Sequence, residues 1–428
     1  MIYKERIADG FLKSRLVNSG AVLIEGPRGC GKATTASQQS ASSIMLTDPN
    51  HRALYVESAK EKPYTLLKGQ TPRLVGEWQT IPDLWKDVKA SVKRRTCNGN
   101  YILTESQDFD VTAPKKANFE GLGRLRMHPM SLYESGESTG AVSLNDMFDN
   151  LKASPDGAKS YLTRHDLAFA ACRGGWPAAM NLPDGEKLKV AKEYLARACN
   201  EDINKPDNVK RSPQLAYDVV QTYSEHLYTK EQTQNILAEV RQKSGYMAYI
   251  TLKLYMEALQ NIFVFEEVPA WRPNVHHWSS MRHRPTRCLS DPSLGAAALN
   301  LTPDMLASDS SKFSSLFKVM CARDLRVYAQ KYGGLVANYE DRFGVYIDAV
   351  VYLPTGFYVL VQFATNEQEI ERGAKSMLNE YQHIAKHNAS HPQEHFRMPA
   401  FMMILTPGDM AYTRPDGIRV VPLGCLKD

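Results

Sequence analysis

The chain has 428 residues, 43% of them apolar, with 52 basic and 47 acidic side chains for a net charge of +5. That length suggests about three domains, and the apolar content is enough for true cores, so a disordered or fibrous protein is excluded. The mild positive excess permits local contacts with phosphates without marking the whole chain as a nucleic-acid binder.

Met1 to Gly20 alternates charged and apolar residues, and no later run is long enough to cross a bilayer, so neither a signal peptide nor a membrane span is expected. The seven cysteines, Cys30, Cys97, Cys172, Cys199, Cys288, Cys321 and Cys425, never fall in a C-x-x-C spacing. Reduced thiols and a cytoplasmic location are therefore expected, with no disulfide framework and no metal-ligand set.

Ala21 to Glu25 is a short apolar run of strand type. Gly26, Pro27, Arg28, Gly29, Cys30, Gly31 and Lys32 then match G-x-x-x-x-G-K, but the next position, which should be Ser or Thr, is Ala33. The glycines let backbone amides turn inward around phosphate, and the helix expected over Lys32 to Ser40 adds the positive end of its dipole. Lys32 supplies a point charge for the outer phosphates. Thr34 is a poor replacement for the missing hydroxyl, because on a helix it lies about 100° round the axis from position 33.

Further strands are expected at Ser43 to Thr47, Pro72 to Trp78 and Tyr101 to Ser106. Between the last two, Leu84, Trp85, Val88 and Val92 recur at helical spacing with Lys86, Lys89 and Lys93 opposite them. Strands alternating with helices behind a P-loop imply a parallel sheet that binds its ligand at the carboxyl ends of the strands. Residues 212–267 read as helix-rich, with Tyr249, Leu252, Leu254, Tyr255 and Leu259 as a repeating apolar set before the strand-like Ile262 to Phe265. Next, Val275 to Arg287 gathers His276, His277, His283, Trp278, Arg282, Arg284 and Arg287. Such a stretch suits phosphate contact and base stacking, or else is a solvated loop. The tail of the chain reads helix (Phe317 to Gln330), strands (Tyr346 to Tyr352, Tyr358 to Phe363), helix (Gln368 to His387) and strand (Ala400 to Leu405).

Five segments fall in an order that resembles a large group of prokaryotic AAA-type ATPases. They are Gly26 to Thr35, Pro72 to Gln79 with Leu84 and Trp85, Tyr101 to Ser106, Gly123 and Arg124 with Met130 to Ser138, and Cys172 to Ala178. In that group the ATPase is followed by a winged-helix region and a restriction-endonuclease-like domain of unknown function. The resemblance implies an α/β chain with a P-loop AAA-type domain over 1–145, a helical lid and winged-helix region over 146–295, and a restriction-endonuclease-like domain over 296–428. It also implies ATP as ligand, DNA as a candidate partner and assembly into a homo-oligomer.

This chain departs from the family where the chemistry sits. The family pattern has a hydroxyl at position 33 and Asp-Glu-Trp-Gln at the strand end, whereas here stand Ala33 and Gly76-Glu77-Trp78-Gln79. Both protein ligands of magnesium are thus missing. Glu77 keeps the position of the water-activating carboxylate. Arg124 matches an arginine-finger position, or is a surface arginine before a buried strand. Glu105 replaces a family glycine, as a relocated magnesium contact or a drifted loop. In the C-terminal domain Asp348 stands at the nuclease Asp position, but Glu-x-Lys reads Gln362-Phe363-Ala364 and a helical glutamate position has Lys318, so nuclease activity is not expected. The resulting expectation is a nucleotide-binding pseudo-ATPase with a sensing, assembly or DNA-associated role. The alternatives are a working ATPase on DNA that uses Glu105, and a structural oligomer with an empty pocket.

Overall fold

A computed structural model describes all residues except 1–2, 96, 107–117, 208, 272–284, 342–343 and 394. The N-terminal region runs α1 (Ile7–Asn18), β1 (Ala21–Glu25), α2 (Lys32–Gln39), β2 (Ser42–Met45), α3 (Arg52–Glu61), β3 (Arg73–Gly76), α4 (Leu84–Arg94), β4 (Tyr101–Glu105) and β5 (Leu122–Arg126). Its five strands are parallel in the spatial order β2, β3, β4, β1, β5, so β1 is flanked on both sides. Ala21 to Ile24 are buried, as a central parallel strand covered on both faces requires.

Alternation along the strands divides two cores. Ala21, Leu23, Val75, Tyr101 and Leu103 face Leu84, Val88 and Val92 of α4. Val22, Ile24, Leu74, Ile102 and Leu125 face Leu12 and Leu16 of α1 and Ala36 of α2. The amphipathic pattern of α4 holds, with its lysines 86, 89 and 93 exposed. The strand expected to run through Trp78 stops at Gly76, because Glu77 takes a left-handed backbone (φ 55°) that breaks the ladder.

After β5 come α5 (Leu132–Ser135), β6 (Val142–Ser143), α6 (Leu144–Asp149), α7 (Arg164–Arg173), α8 (Asp184–Asn200), α9 (Pro213–Glu225), α10 (Thr233–Ser244) and α11 (Tyr249–Asn261). Leu252, Tyr255 and Leu259 are buried as expected, but Tyr249 and Leu254 face solvent. Ile262 to Phe265 is not a strand: Ile262 caps α11, Phe263 is left-handed (φ 60°), and the stretch pairs through isolated bridges, Phe265 to Leu289 and Val268 to Thr286 antiparallel and Ala270 to Asn338 parallel.

The remainder is α12 (Pro292–Ala298), α13 (Pro303–Ser308), α14 (Ser310–Ala329), β7 (Leu335–Glu340), β8 (Tyr346–Tyr352), β9 (Tyr358–Phe363), α15 (Glu367–Ser390), β10 (Met402–Thr406), β11 (Tyr412–Thr413), β12 (Arg419–Pro422) and β13 (Leu426–Lys427). A six-stranded mixed sheet has the order β11, β12, β10, β9, β8, β7, with α15 crossing between the parallel strands β9 and β10. One apolar core runs from Leu132 through the middle helices into this sheet and on to Leu426. Residues 145–146 lie within α6 and residues 295–296 within α12. β13 returns to pair with β6.

Two buried polar clusters stitch the regions together. Arg323 lies between Asp291 (3.1 Å) and Asp324 (2.7 Å), while Asp291 accepts from the Gly175 amide and Asp324 from the Leu132 amide. Gly175 must be glycine, since a Cβ there would lie 2.1 Å from the Met130 carbonyl oxygen. In the second cluster Glu266 meets Arg126 (3.1 Å), His128 (3.4 Å) and Arg326 (3.7 Å).

Candidate nucleotide site

The P-loop connects β1 to α2 at the carboxyl edge of the parallel sheet. Gly26, Gly29 and Gly31 have φ of 152°, 74° and 106°, values that open the tight curl and that L side chains rarely adopt. At Gly26 a Cβ would also fall 2.1 Å from the Met127 carbonyl oxygen, so the segment following β5 closes on the loop. Lys32 is buried, and its Nζ donates to the carbonyl oxygens of Gly26 (2.9 Å) and Pro27 (2.7 Å). The cation is thus held over the loop it serves. Arg28 reaches Asp202 beyond α8 at 3.6 Å, joining the loop to the middle region. Cys30 is buried against Met127.

An N-terminal clamp invisible in the motif supports the loop. Arg6 is buried, and its guanidinium donates to the Cys30 carbonyl (2.8 Å), the His128 carbonyl (3.0 Å) and Glu134 (3.2 Å). Glu134 also completes the capping box of α5 with Ser131. The Tyr3 hydroxyl donates to Asp9 and lies 3.0 Å from Thr35 Oγ1. Neither Arg6 nor Tyr3 belongs to a spacing signature, so the sequence offered no signal for them.

Neither of the two positions where the family resemblance puts magnesium ligands carries a side-chain oxygen. Ala33 has no donor oxygen. Gly76 has no side chain, and a Cβ there would lie 2.2 Å from Sδ of the flexible Met45, which would have to swing aside for an aspartate. Thr34 is exposed and lines a cavity of about 190 Å3 with Tyr3, Arg6, Gln38, Met130 and Pro177; none of that lining comes from β3 or β4.

Glu77 is placed at the same sheet edge, fixed by Gln79 Nε2 (2.7 Å) and Ser106 Oγ (2.8 Å), while its amide donates to Thr104 Oγ1 (3.3 Å). A non-glycine residue held at φ 55° is uncommon and persists where its surroundings over-determine it. Glu105, the alternative magnesium contact, is engaged in the core. It follows Tyr101 and Leu103 on the α4 face of the sheet, opposite α2, and its buried carboxylate accepts from the Trp78 indole at 2.8 Å. Arg124 lies within β5 rather than before it. Its guanidinium pairs with Glu25 at 2.8 Å and donates to Asn118 at 2.9 Å, both in its own chain.

Of the other residues singled out, Arg287 and Asp348 lie in other parts of the fold. Arg287 follows the bridged Thr286, and its carbonyl accepts from the Tyr228 amide at 3.2 Å. Trp278, Arg282 and Arg284 fall outside the described residues, as do His276, His277 and His283. Asp348 is buried, with Lys318 at 3.6 Å and the Phe363 amide at 3.0 Å, and Gln362 donates to the Tyr346 carbonyl. Burial pushes the Asp348 carboxyl up, against the pull of Lys318. All seven cysteines are free thiols, and no helix among the described residues is long and apolar enough to cross a membrane.

Residues 18–136 match a family described as AAA domain, and residues 164–305 match one described as Domain of unknown function (DUF8612), whose span crosses residue 295. A solved Walker-type ATPase of Pyrococcus abyssi aligns at 13% identity over 69% of this chain and 96% of its own length, with a TM-score of 0.41. A signal transduction ATPase with numerous domains (STAND) carrying a tetratricopeptide repeat sensor, from Pyrococcus horikoshii, aligns at 11% identity over 75% of this chain and 48% of its own length, with a TM-score of 0.20. No curated protein matches. The family match and the glycine-curled loop with its enclosed lysine together make the N-terminal region an AAA-type P-loop domain, the type of domain that binds nucleotides.

Proposed function

We propose that the protein binds ATP at this P-loop and retains it without appreciable hydrolysis. The observation that carries this reading is that Ala33 and Gly76, at the end of β1's loop and of β3, both lack a side-chain oxygen for magnesium. Loop amides from Gly29 to Ala33 and the Lys32 ammonium supply the attraction for phosphate. The cavity bounded by Tyr3, Thr34, Gln38, Met130 and Pro177 offers flat apolar surfaces with hydroxyl and amide groups, which suits the nucleoside end. Glu77 keeps the pose of a general base, but no metal-organised phosphate would stand before it.

Equilibrium binding of a fluorescent ATP analogue tests this reading. Saturation is expected with or without magnesium, and Lys32→Ala is expected to abolish it. Magnesium-dependent turnover near about 1 per second that vanishes in Lys32→Ala would refute it. An absence of saturation at millimolar ligand would instead favour a purely structural pocket.

The bundle α9, α10, α11 and the bridged ribbon after it support a winged-helix reading of the middle region. The succession α14, β7, β8, β9, α15, β10 supports a restriction-endonuclease-like reading of the C-terminal region, in which the Lys318 to Asp348 ion pair takes the place of a nuclease site. A DNA-associated role rests on Arg287 with Trp278, Arg282 and Arg284. Gel-shift titration across a salt series tests it, because phosphate neutralisation must weaken binding steeply as salt rises. The same reading includes a homo-oligomer, checked by light scattering with and without ATP.

A further inference from the structure

A second group of chemistry-bearing residues lies in the C-terminal sheet, away from both the P-loop and Asp348. Asp341 directly follows β7, and Glu380 and His383 project one turn apart from α15. The i, i+3 spacing of Glu-x-x-His sets both donors on one helix face. His383 Nδ1 lies 3.9 Å from Asp341 Oδ2 and 3.9 Å from Glu380 Oε2, and the three ligand atoms all fall within 4.8 Å of one another.

Hydrogen bonding among the described residues leaves Glu380 incompletely satisfied. The Glu380 side chain is 2% exposed, and its Oε2 has no hydrogen-bond partner among the described residues. A dehydrated carboxylate oxygen aimed at a second carboxylate is costly unless a cation joins them. The Val345 amide donates to Asp341 Oδ1 at 2.8 Å, which orients the other oxygen toward Glu380 and His383 in the manner of a supporting contact behind a metal ligand.

We propose that Asp341, Glu380 and His383 form a binding site for a divalent transition-metal ion of the zinc class. The imidazole selects against magnesium and calcium, which prefer all-oxygen shells. Three protein donors leave a fourth position for water, and His383, with its side chain 39% exposed, marks the side on which solvent enters. Bonds of about 2.0 to 2.2 Å in a tetrahedral site set ligand atoms roughly 3.4 Å apart. The half-exposed His383 ring can swing to shorten its two 3.9 Å distances, while the two carboxylates draw together on the ion. A bound ion would pin the long helix α15 to the end of β7.

The test uses the full-length chain stripped of metal and titrated with zinc against a chromophoric chelator. One equivalent is expected to bind, and Glu380→Gln and His383→Gln are each expected to weaken it by about tenfold to a hundredfold. Replacing His276, His277 and His283 together by Gln, or Cys97 by Ser, is expected to leave binding unchanged. The wild-type cobalt spectrum is an independent readout, because d–d bands without a thiolate charge-transfer band identify a nitrogen and oxygen site. The proposal is overturned by an absence of stoichiometric zinc, by undiminished binding in both Glu380→Gln and His383→Gln, or by loss of binding in the triple histidine variant.

Discussion

The Trp78 indole donates to Glu105 Oε2 at 2.8 Å, and this bond keeps a strand-end carboxylate on the α4 face of the sheet, turned from the phosphate loop. Glu105 is therefore a core acid held by an aromatic donor. Glu105→Gln is expected to leave nucleotide affinity unchanged within about twofold, with and without magnesium. A selective loss of magnesium-dependent affinity in this variant would restore the metal-ligand reading. Trp78→Phe, which removes a donor from a buried charged acceptor, is expected to cost about 1 to 3 kcal/mol in a urea titration.

On the proposed reading, restoring the two side-chain ligands is best combined with shortening Met45. Gly76→Asp alone drives a side chain into Met45, whose Sδ would lie 2.2 Å from the new Cβ. The combination Ala33→Thr, Gly76→Asp and Met45→Ala is expected to make nucleotide binding magnesium-dependent and to raise turnover at least about tenfold, equivalent to roughly 1.4 kcal/mol of barrier. Unchanged turnover in a folded triple variant would place the defect elsewhere, with Glu77 the first suspect.

Arg323 is fully enclosed between two carboxylates that also bind the Gly175 and Leu132 amides. Its removal strands buried charge in the joint between the P-loop domain and the rest. Arg323→Met is expected to destabilise the protein by about 3 to 5 kcal/mol, measured by the shift of the urea midpoint. A change within about 0.5 kcal/mol would show that the joint contributes nothing net.

Acid stability should follow His128. Burial lowers its proton affinity in the fold below the usual 6.5, and Arg326 and Arg126 act in the same direction while Glu266 opposes them. The unfolded chain consequently takes up the proton more readily, so stability present above pH 6.5 is lost as the pH falls through that value. His128→Gln should flatten the pH dependence of stability between about pH 5 and 7. Glu266 acts at lower pH: burial alone would raise its carboxyl, but His128, Arg126 and Arg326 outweigh burial and hold it well below 4.5. The downward direction for Glu266 stands even with a neutral His128, because both arginines stay charged.

The phosphate loop and most regular elements were legible because their signals are local. Glycine spacing gave the loop, burial of β1 on both faces gave an unbroken apolar run, and Leu84, Val88 and Val92 wrote the buried stripe of α4. β8 and β9 fall on the expected residues. What remained hidden depends on distant partners. Arg6 meets Cys30, His128 and Glu134 only after the chain has folded, and Met45 fills the space beside Gly76 from a neighbouring strand. Leu254 reads as core by hydropathy, yet its position on α11 turns it outward. Asp341 and Glu380 belong to different elements, so no linear spacing links them.

The pairing of Leu426 and Lys427 with Val142 and Ser143 bears on the order of biogenesis. On the ribosome, β6 emerges soon after the nucleotide domain and long before its partner β13 has been translated. That edge must wait, or be shielded by a chaperone, until the closing strand leaves the exit tunnel.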